Sequence, residues 1–172
     1  MVTYGGACSL DLYIARPDHT VDWLIWSDEV AKLTGDFWKT IDTVLMGRKT
    51  YEVAARSGMA AYPDVVNYLC SRTLKTAPDP RITLAEDGVG LVQRLKQAPG
   101  KGICVMGGGE LAQSLLDARL IDRVGMNLHP ILLGSGIPMF GRLSRDVRWD
   151  LVESRTLATG CVYLLYQRRP TA

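Results

Sequence analysis

The sequence predicts an α/β fold: a single three-layer domain whose mixed, mainly parallel sheet is flanked by helices and ends in a C-terminal antiparallel hairpin. Apolar strand-like runs alternate with amphipathic helical segments over the first two thirds of the chain, the pattern of parallel strands joined by crossover helices. The last two strand-like segments, 150–157 and 161–167, are separated by Thr159-Gly160, which favours a hairpin. With 172 residues and neither repeat nor linker, the chain is expected to form one domain over residues 1–172.

The individual elements follow from apolar periodicity and turn residues. Residues 2–15 are strand-like, with a break expected at Gly5-Gly6. The next segment has apolar residues at spacings of three and four, which predicts a helix with Ser27 as its N-cap. The other expected strands are 44–46, 65–70, 103–106 and 123–133, and the other expected helices are 49–56, 87–97 and 110–118.

Composition excludes several function classes. A net charge of +2 without a long basic run argues against nucleic-acid binding. No apolar stretch is long enough for a membrane helix and no targeting segment is evident, so a cytoplasmic protein is expected. The four cysteines form no Cys-x-x-Cys pair and lie in apolar runs, which indicates buried free thiols. With only two histidines, far apart in the sequence, no metal site is expected.

Two strand–glycine–helix turns carry the first functional signal. They are "VLMGRKTYE" (44–52) and "ICVMGGGELAQSLL" (103–116). Glycine lets the backbone approach a ligand closely, and a helix start offers unpaired N–H groups that favour an anion. The second turn also matches Gly-x-Gly-x-x-Ala, a Rossmann-type fingerprint, although that fingerprint normally follows the first strand.

A third strand end has similar chemistry. In "YLCSRTL" (68–74) the expected strand is followed by Ser71, Arg72 and Thr73. Arg48, in the first turn, likewise offers a planar guanidinium that suits a phosphate. Three such ends along one sheet edge predict a ligand with several phosphates, such as a dinucleotide with a further phosphate on its ribose.

These motifs, in this order and spacing, resemble the dihydrofolate reductase fold, and more closely its branch that contains the reductase domain of riboflavin biosynthesis and stand-alone relatives. "CSLDLYIARPD" (8–18) is similar to that branch's Ser-Leu-Asp-Gly segment, and "LHPILLGSGIPMF" (128–140) is similar to its late strand and glycine loop. The resemblance covers roughly residues 3–167. It implies an NADPH-dependent reductase that transfers a hydride to a small pyrimidine- or pterin-type substrate. The reacting group would be a C=N or ring-opened ribosylamine group, as in 5-amino-6-(5-phosphoribosylamino)uracil reduction. The resemblance also implies a homodimer.

The resemblance also implies residue roles. Asp11 would face the substrate as the candidate catalytic residue, and the Gly107–Gly108 peptide would be cis. The implied NADPH-binding residues are Gly47, Arg48, Lys49 and Thr50 at the pyrophosphate and adenosine-side phosphate, Ser71 and Arg72 at the 2′-phosphate, Gly107, Gly108, Gly109, Glu110 and Leu111 at the pyrophosphate and nicotinamide ribose, and Ile14 and Ala15 at the carboxamide.

Two departures from the family pattern concern the substrate. Leu12 replaces the glycine of Ser-Leu-Asp-Gly. Where dihydrofolate reductases have an acid on the first helix, this chain has Ala31, with Asp28 and Glu29 one turn away. Folate is therefore not the expected substrate.

Other readings remain open at this level. They are a non-catalytic NADP-binding module on the same fold, dihydrofolate reductase activity, and a Rossmann-type NAD dehydrogenase. A Rossmann-type dehydrogenase is expected to have an acid at the end of the strand that follows the glycine helix. In this chain Asp122 precedes that strand, which argues against the third alternative. Trp23, Trp26 and Trp38 either wall a planar substrate or pack in the core, and His129 is expected to be a packed residue.

Overall fold

The computed structural model describes residues 1–107 and 109–170, which form one eight-stranded sheet, a two-stranded ribbon and four helices. The elements in chain order are β1 (Val2–Cys8), β2 (Tyr13–Ala15), α1 (Asp28–Trp38), β3 (Thr43–Gly47), α2 (Arg48–Arg56), β4 (Val66–Cys70), β5 (Ile82–Ala85), α3 (Gly88–Gln97), β6 (Ile103–Met106), α4 (Gly109–Asp117), β7 (Arg123–Leu128), β8 (Ile137–Pro138), β9 (Trp149–Thr156) and β10 (Val162–Arg168).

The strand order of the large sheet is β5-β4-β3-β6-β1-β7-β10-β9. The six strands from β5 to β7 are parallel, and β10 pairs antiparallel with both β7 and β9. The predicted fold class, a mainly parallel sheet with a C-terminal antiparallel hairpin, is confirmed. The small ribbon pairs β2 with β8.

Helices cover both faces of the sheet, because the central strands are apolar on both sides. On β3, Leu45 packs in the cluster formed with α3 and α4, whereas Val44 and Met46 pack in the cluster below α1 and α2. All three side chains are fully buried. Truncating such a residue to alanine typically costs about 2–5 kcal/mol, so these contacts hold the three layers together.

The helix starts are built differently from one another. Ser27 caps α1 by accepting a hydrogen bond from the backbone N–H of Val30 at 3.3 Å. Asp87 caps α3 by accepting from Gly90 at 2.9 Å. By contrast, α2 begins directly after Gly47 and has no side-chain cap.

The structure corrects three sequence-based expectations. β1 is continuous through Gly5-Gly6, because Gly5 lies in close contact with Gly125 of the neighbouring strand instead of forming a turn. β7 ends at Leu128 instead of residue 133, and the chain then turns at Pro130, which has no N–H for a strand ladder. The short strands β5 and β8 were not predicted, since neither has a clear alternating pattern.

The cysteines are free thiols, as predicted. Cys8 and Cys104 are buried, and burial raises their pKa values to about 11 and about 12. Among residues 1–107 and 109–170, no group of three or more potential metal ligands comes together. In the same residues, every helix is too short or too polar to cross a membrane.

Candidate cofactor and substrate site

The three turns singled out in the sequence lie side by side at one edge of the sheet. β4, β3 and β6 are adjacent and parallel, with Gly47 paired to Cys70 and Met46 paired to Met106. Consequently the turns that begin at Gly47, Ser71 and Gly107 are neighbours at the carboxyl ends of these strands. This edge is where open α/β sheets bind ligands.

Two of these turns are in direct contact. Gly107 has a φ of +98°, and a Cβ at this position would overlap the Thr50 hydroxyl and lie 2.7 Å from the Thr50 Cβ. Thr50 belongs to the first turn of α2, so the turn after β6 packs on the start of that helix. Glycine is required here both by the backbone conformation and by the close approach.

The start of α2 combines an uncapped helix N-terminus with nearby cationic side chains. Its first N–H groups have no side-chain cap, and Gly47 precedes them in an extended conformation. Arg48 pairs with Glu52 at 2.7 Å while keeping 44% of its side chain exposed. Lys49 and Arg72 are also exposed, and neither takes part in a salt bridge with any residue in 1–107 or 109–170. Three guanidinium or ammonium groups therefore border the helix start.

The turn after β4 is rigid. The Ser71 oxygen accepts a hydrogen bond from the backbone N–H of Leu74 at 3.1 Å and a longer one from Thr73 at 3.3 Å. The neighbouring Thr73 hydroxyl lies 3.3 Å from the Ser71 oxygen. This turn positions two hydroxyl groups and Arg72 at the same edge as Arg48.

Residues at the start of α4 have unequal exposure. Glu110 is exposed, whereas Leu111 is partly buried and packs toward α3, since a Cβ at Gly88 would lie 3.0 Å from its Cδ1. Gly109 faces Gly141, whose N would be 3.4 Å from an added Cβ. Gly108 and its predicted cis peptide bond with Gly107 lie outside the described residues.

A cavity of about 250 Å³ opens on the α1 side of the sheet. Its floor includes Gly5 and Gly125, which are paired across β1 and β7. The missing side chains leave space above the sheet, and Gly5 is so close to Gly125 that an added Cβ would overlap the Gly125 carbonyl oxygen. Met106 lines the cavity and directly precedes Gly107, so the cavity adjoins the turn that packs on α2.

The cavity walls are apolar and aromatic. α1 contributes Val30, Leu33 and Phe37, which share one face because of their helical spacing, and Trp38 at its end. Trp38 stacks on Tyr62 with ring centroids 4.8 Å apart. Trp26 also lines the cavity and is 67% exposed. A site with aromatic walls and space for one ring suits a flat ligand.

The three tryptophans considered together in the sequence lie in two different environments in the structure. Trp26 and Trp38 line the cavity, whereas Trp23 is buried and meets the His129 ring edge-on, with ring centroids 5.3 Å apart.

Asp11 holds two loops together. Its carboxylate accepts hydrogen bonds from the Ser9 hydroxyl at 2.6 Å and from the backbone N–H groups of Leu133 at 3.1 Å and Gly134 at 2.7 Å. The Ser9 hydrogen bond lowers the pKa of Asp11, and the two backbone hydrogen bonds act in the same direction. The carboxylate is therefore ionised and positions the loop at 132–135. Asp11 does not line the cavity.

The segment around Asp11 continues into β2, with Ile14 partly buried against the core and Ala15 buried. Leu12 has a φ of +61°, a left-handed conformation that favours glycine. The backbone thus keeps a glycine-like shape at the position where this chain departs from the family pattern.

Sequence reasoning did not select Asn127 or Tyr163, and it treated His129 only as a packed residue. All three line the cavity. Asn127 and Tyr163 pair across β7 and β10, and burial raises the pKa of Tyr163. The available signal was the strand period, which places Asn127 on the same face as Gly125.

The sheet order, the glycine turns at one edge and the adjoining cavity define a dihydrofolate-reductase-like α/β protein. A dihydrofolate reductase from Enterococcus faecalis complexed with NADP(H) and RAB-propyl has the same fold, with a TM-score of 0.72, 17% identity, and 99% of this chain and 97% of that chain covered. A putative riboflavin biosynthesis protein from Shewanella sp. PV-4 is more similar, with a TM-score of 0.86, 24% identity, and 98% and 99% covered.

More specifically, the chain belongs to the RibD C-terminal domain family, which matches residues 1–163. Two Bacillus subtilis (strain 168) proteins are similar in sequence, and both bear the description "uncharacterized". YwjB is 34% identical over 148 residues, covering 84% of this chain and 85% of its own length. YyaP is 28% identical over 172 residues, covering 93% and 90%.

Proposed function

We propose that this protein is an NADPH-dependent reductase that transfers a hydride to a small heterocycle in the cavity above Gly5 and Gly125. The observation that carries the proposal is the junction of Gly107 with Thr50. It joins the two glycine turns into one surface, and Met106 links that surface to the cavity. A dinucleotide with its phosphates on the turns would direct its other end toward the ring site.

The phosphate groups would be held by the cations and N–H groups of the three turns. The uncapped start of α2, with Gly47, Arg48, Lys49 and Thr50, suits the pyrophosphate and adenosine-side phosphate. Arg72 and the Ser71 hydroxyl suit the 2′-phosphate that distinguishes NADPH from NADH. Gly107, Gly109 and Glu110 follow β6 at the same edge, and Ile14 and Ala15 of β2 are proposed to contact the carboxamide. The fold of an NADP(H)-bound reductase supports this arrangement.

The reaction needs little covalent chemistry from the chain. When bound, NADPH supplies the hydride. The cavity residues hold the ring in place, and the aromatic walls exclude water from it. Asp11 is proposed to act by holding the loop at 132–135 in place rather than by transferring a proton, because its carboxylate accepts three hydrogen bonds and its pKa is lowered. A C=N or ring-opened ribosylamine group is the proposed hydride acceptor.

Arg48→Ala tests the phosphate assignment, with Arg56→Ala as the matched control at the other end of α2. Loss of one charge-assisted phosphate contact is expected to weaken NADPH binding about tenfold and NADH binding less. Isothermal titration calorimetry measures both cofactors, and Arg72→Ala should show the larger difference between them. Equal loss for NADPH and NADH in both variants would refute the 2′-phosphate assignment.

We also propose that the protein acts as a homodimer. β9 is an edge strand of eight residues on which Leu151 and Val152 are 54% and 51% exposed. Exposed apolar side chains on an unpaired edge strand are often covered by another chain. Light scattering should give twice the chain mass, and Val152→Lys should reduce it to that of one chain; a monomeric wild-type protein would refute the proposal.

A further inference from the structure

The cavity is electrically neutral. No Asp, Glu, Lys or Arg belongs to the part of its lining that the structure describes. Two acids on α1 are engaged elsewhere: Glu29 accepts a hydrogen bond from the backbone N–H of Ala158 at 2.7 Å, and Asp36 pairs with Lys39 at 2.7 Å. On β9, Glu153 and Arg155 pair with each other. A charged ring in this cavity would therefore have no counter-ion.

The two titratable rings in the lining are neutral as well. Burial lowers the pKa of His129, which favours the uncharged imidazole. Burial also raises the pKa of Tyr163, so its phenol keeps its proton. Recognition in this cavity depends on neutral hydrogen bonds and aromatic contacts.

The hydrogen bonds of His129 define which ring nitrogen carries the proton. Its Nδ1 accepts a hydrogen bond from the backbone N–H of Ile25 at 3.2 Å, so Nδ1 carries no proton. In the neutral ring the proton is then on Nε2, and the end of the Asn127 amide that lies 3.3 Å from Nε2 carries the label Nδ2 in the structure. Two N–H groups cannot hydrogen-bond to each other, so the amide must be rotated by 180° about its last side-chain bond. An imidazole N–H needs an acceptor, and only the oxygen of an amide accepts. His129 therefore turns the amide oxygen of Asn127 toward Nε2.

The other end of this amide lacks a partner. This end carries the label Oδ1 in the structure, is buried and makes no hydrogen bond with the residues that the structure describes. The two ends of an amide are distinguished by their hydrogen bonds, so with the oxygen directed to His129 the unpartnered end is the NH2 group. A buried NH2 group in a ligand cavity needs an acceptor from the ligand.

We infer that Asn127 is a specificity-determining residue of this cavity, which takes an uncharged flat ring whose carbonyl oxygen accepts a hydrogen bond from the Asn127 NH2 group. His129 is the positioning residue that orients this amide. The inference rests on the proposed function, because it concerns the ring that would receive the hydride. It goes further because it assigns the Asn127 NH2 group as the hydrogen-bond donor and the ring carbonyl oxygen as the acceptor.

Asn127→Asp tests the inference as a change of specificity. It replaces the donor by an acidic acceptor of the same shape. The probes are uracil, which is uncharged and has carbonyl groups, and 2,4-diaminopyrimidine, which pairs with a carboxylate as a cation. Calorimetry on the full chain with saturating NADP⁺ is expected to show that wild type prefers uracil. The Asp variant should lose at least about tenfold in uracil affinity, equivalent to about 1.4 kcal/mol, and should prefer the diamino ring.

Gln167→Glu is the matched control, since it makes the same chemical change on β10 outside the cavity lining. It should leave both ring affinities unchanged. An unaltered preference in Asn127→Asp, or a wild-type protein that binds NADP⁺ but not uracil at millimolar concentration, would overturn the inference alone. Failure to bind NADP⁺ in the same titration would instead remove the proposed function on which the inference rests.

The role of His129 has an independent test that a purely structural residue would not pass. The chain has only two histidines, so a ¹⁵N-histidine NMR spectrum is easily assigned. His129 should show the neutral ring protonated at Nε2, and its Nε2 resonance should move in Asn127→Asp. A proton on Nδ1 would overturn the proposed orientation of the amide.

Discussion

Replacing Gly107 by alanine tests the junction between the two glycine turns. The substitution adds one methyl group where φ is +98° and where the new Cβ would lie 2.7 Å from the Thr50 Cβ and 2.8 Å from its Cγ2. The unfavourable backbone conformation costs about 1–3 kcal/mol, and forcing an extra methyl into a packed contact costs about 1–3 kcal/mol. The free energy of unfolding should therefore fall by about 2–6 kcal/mol.

Urea unfolding of the wild type and the variant measures this loss. The Thr50→Ala background separates its two causes, because it removes the Oγ1 and Cγ2 atoms but leaves the backbone conformation unchanged. Gly107→Ala should be at least about 0.5 kcal/mol less destabilising in that background. Equal stability of Gly107→Ala and wild type would refute the close packing of the two turns. An identical loss in both backgrounds would refute the contribution of Thr50.

Three further substitutions test other parts of the site and the fold. Asp11→Asn should loosen the loop at 132–135 and lower turnover of accepted substrates while leaving NADPH affinity nearly unchanged; an unaffected rate would remove Asp11 from the mechanism. Gly125→Ala adds a Cβ with ordinary 3.7 Å contacts, so calorimetry should show near wild-type stability but weaker binding of ring ligands, and unchanged ring affinity would contradict the assigned cavity floor. Asp122 bonds Lys96 at 2.5 Å and its pKa is lowered, so Asp122→Asn should cost about 1.5–3 kcal/mol near pH 7. This difference should decline as the pH falls below the ordinary carboxyl pKa of about 3.9 and vanish below the lower pKa of the folded state; a difference that persists at still lower pH would contradict the assigned charge effect.

The pH dependence of the last variant follows from the sign of the shift. Burial by itself would raise the pKa of Asp122, but the hydrogen bonds from Lys96 and Val2 outweigh it and lower the value. A carboxyl group with a lowered pKa in the folded state stabilises the fold above its unfolded pKa, and this contribution is lost as the pH falls through the folded pKa.

Local sequence patterns were sufficient for most of the large sheet and for the three turns at one of its edges. The apolar run before Gly47 and the cations after it predict a strand end and a helix start, and both depend on residues close together in the chain. The neighbouring positions of Gly47, Ser71 and Gly107 then follow from the parallel arrangement of their strands.

The cavity was harder to predict because its residues come together only through strand pairing. Gly5 reads as a strand break in the sequence, and its purpose is evident only once Gly125 lies opposite it on β7. Asn127 and His129 are separated by one residue, but their interaction depends on Ile25, which is more than a hundred residues away and donates to the imidazole. Local periodicity does not report such contacts.

Thermal unfolding with NADPH, with NADH and without ligand tests the central claim most directly. A ligand at about 100 times its dissociation constant adds about 2.7 kcal/mol to the stability of the folded state. For a domain of this size the corresponding rise in Tm is about 5–10 °C. We expect this rise with NADPH and a smaller one with NADH at the same concentration. No rise with either cofactor would contradict the assignment of the three turns at the sheet edge to a dinucleotide.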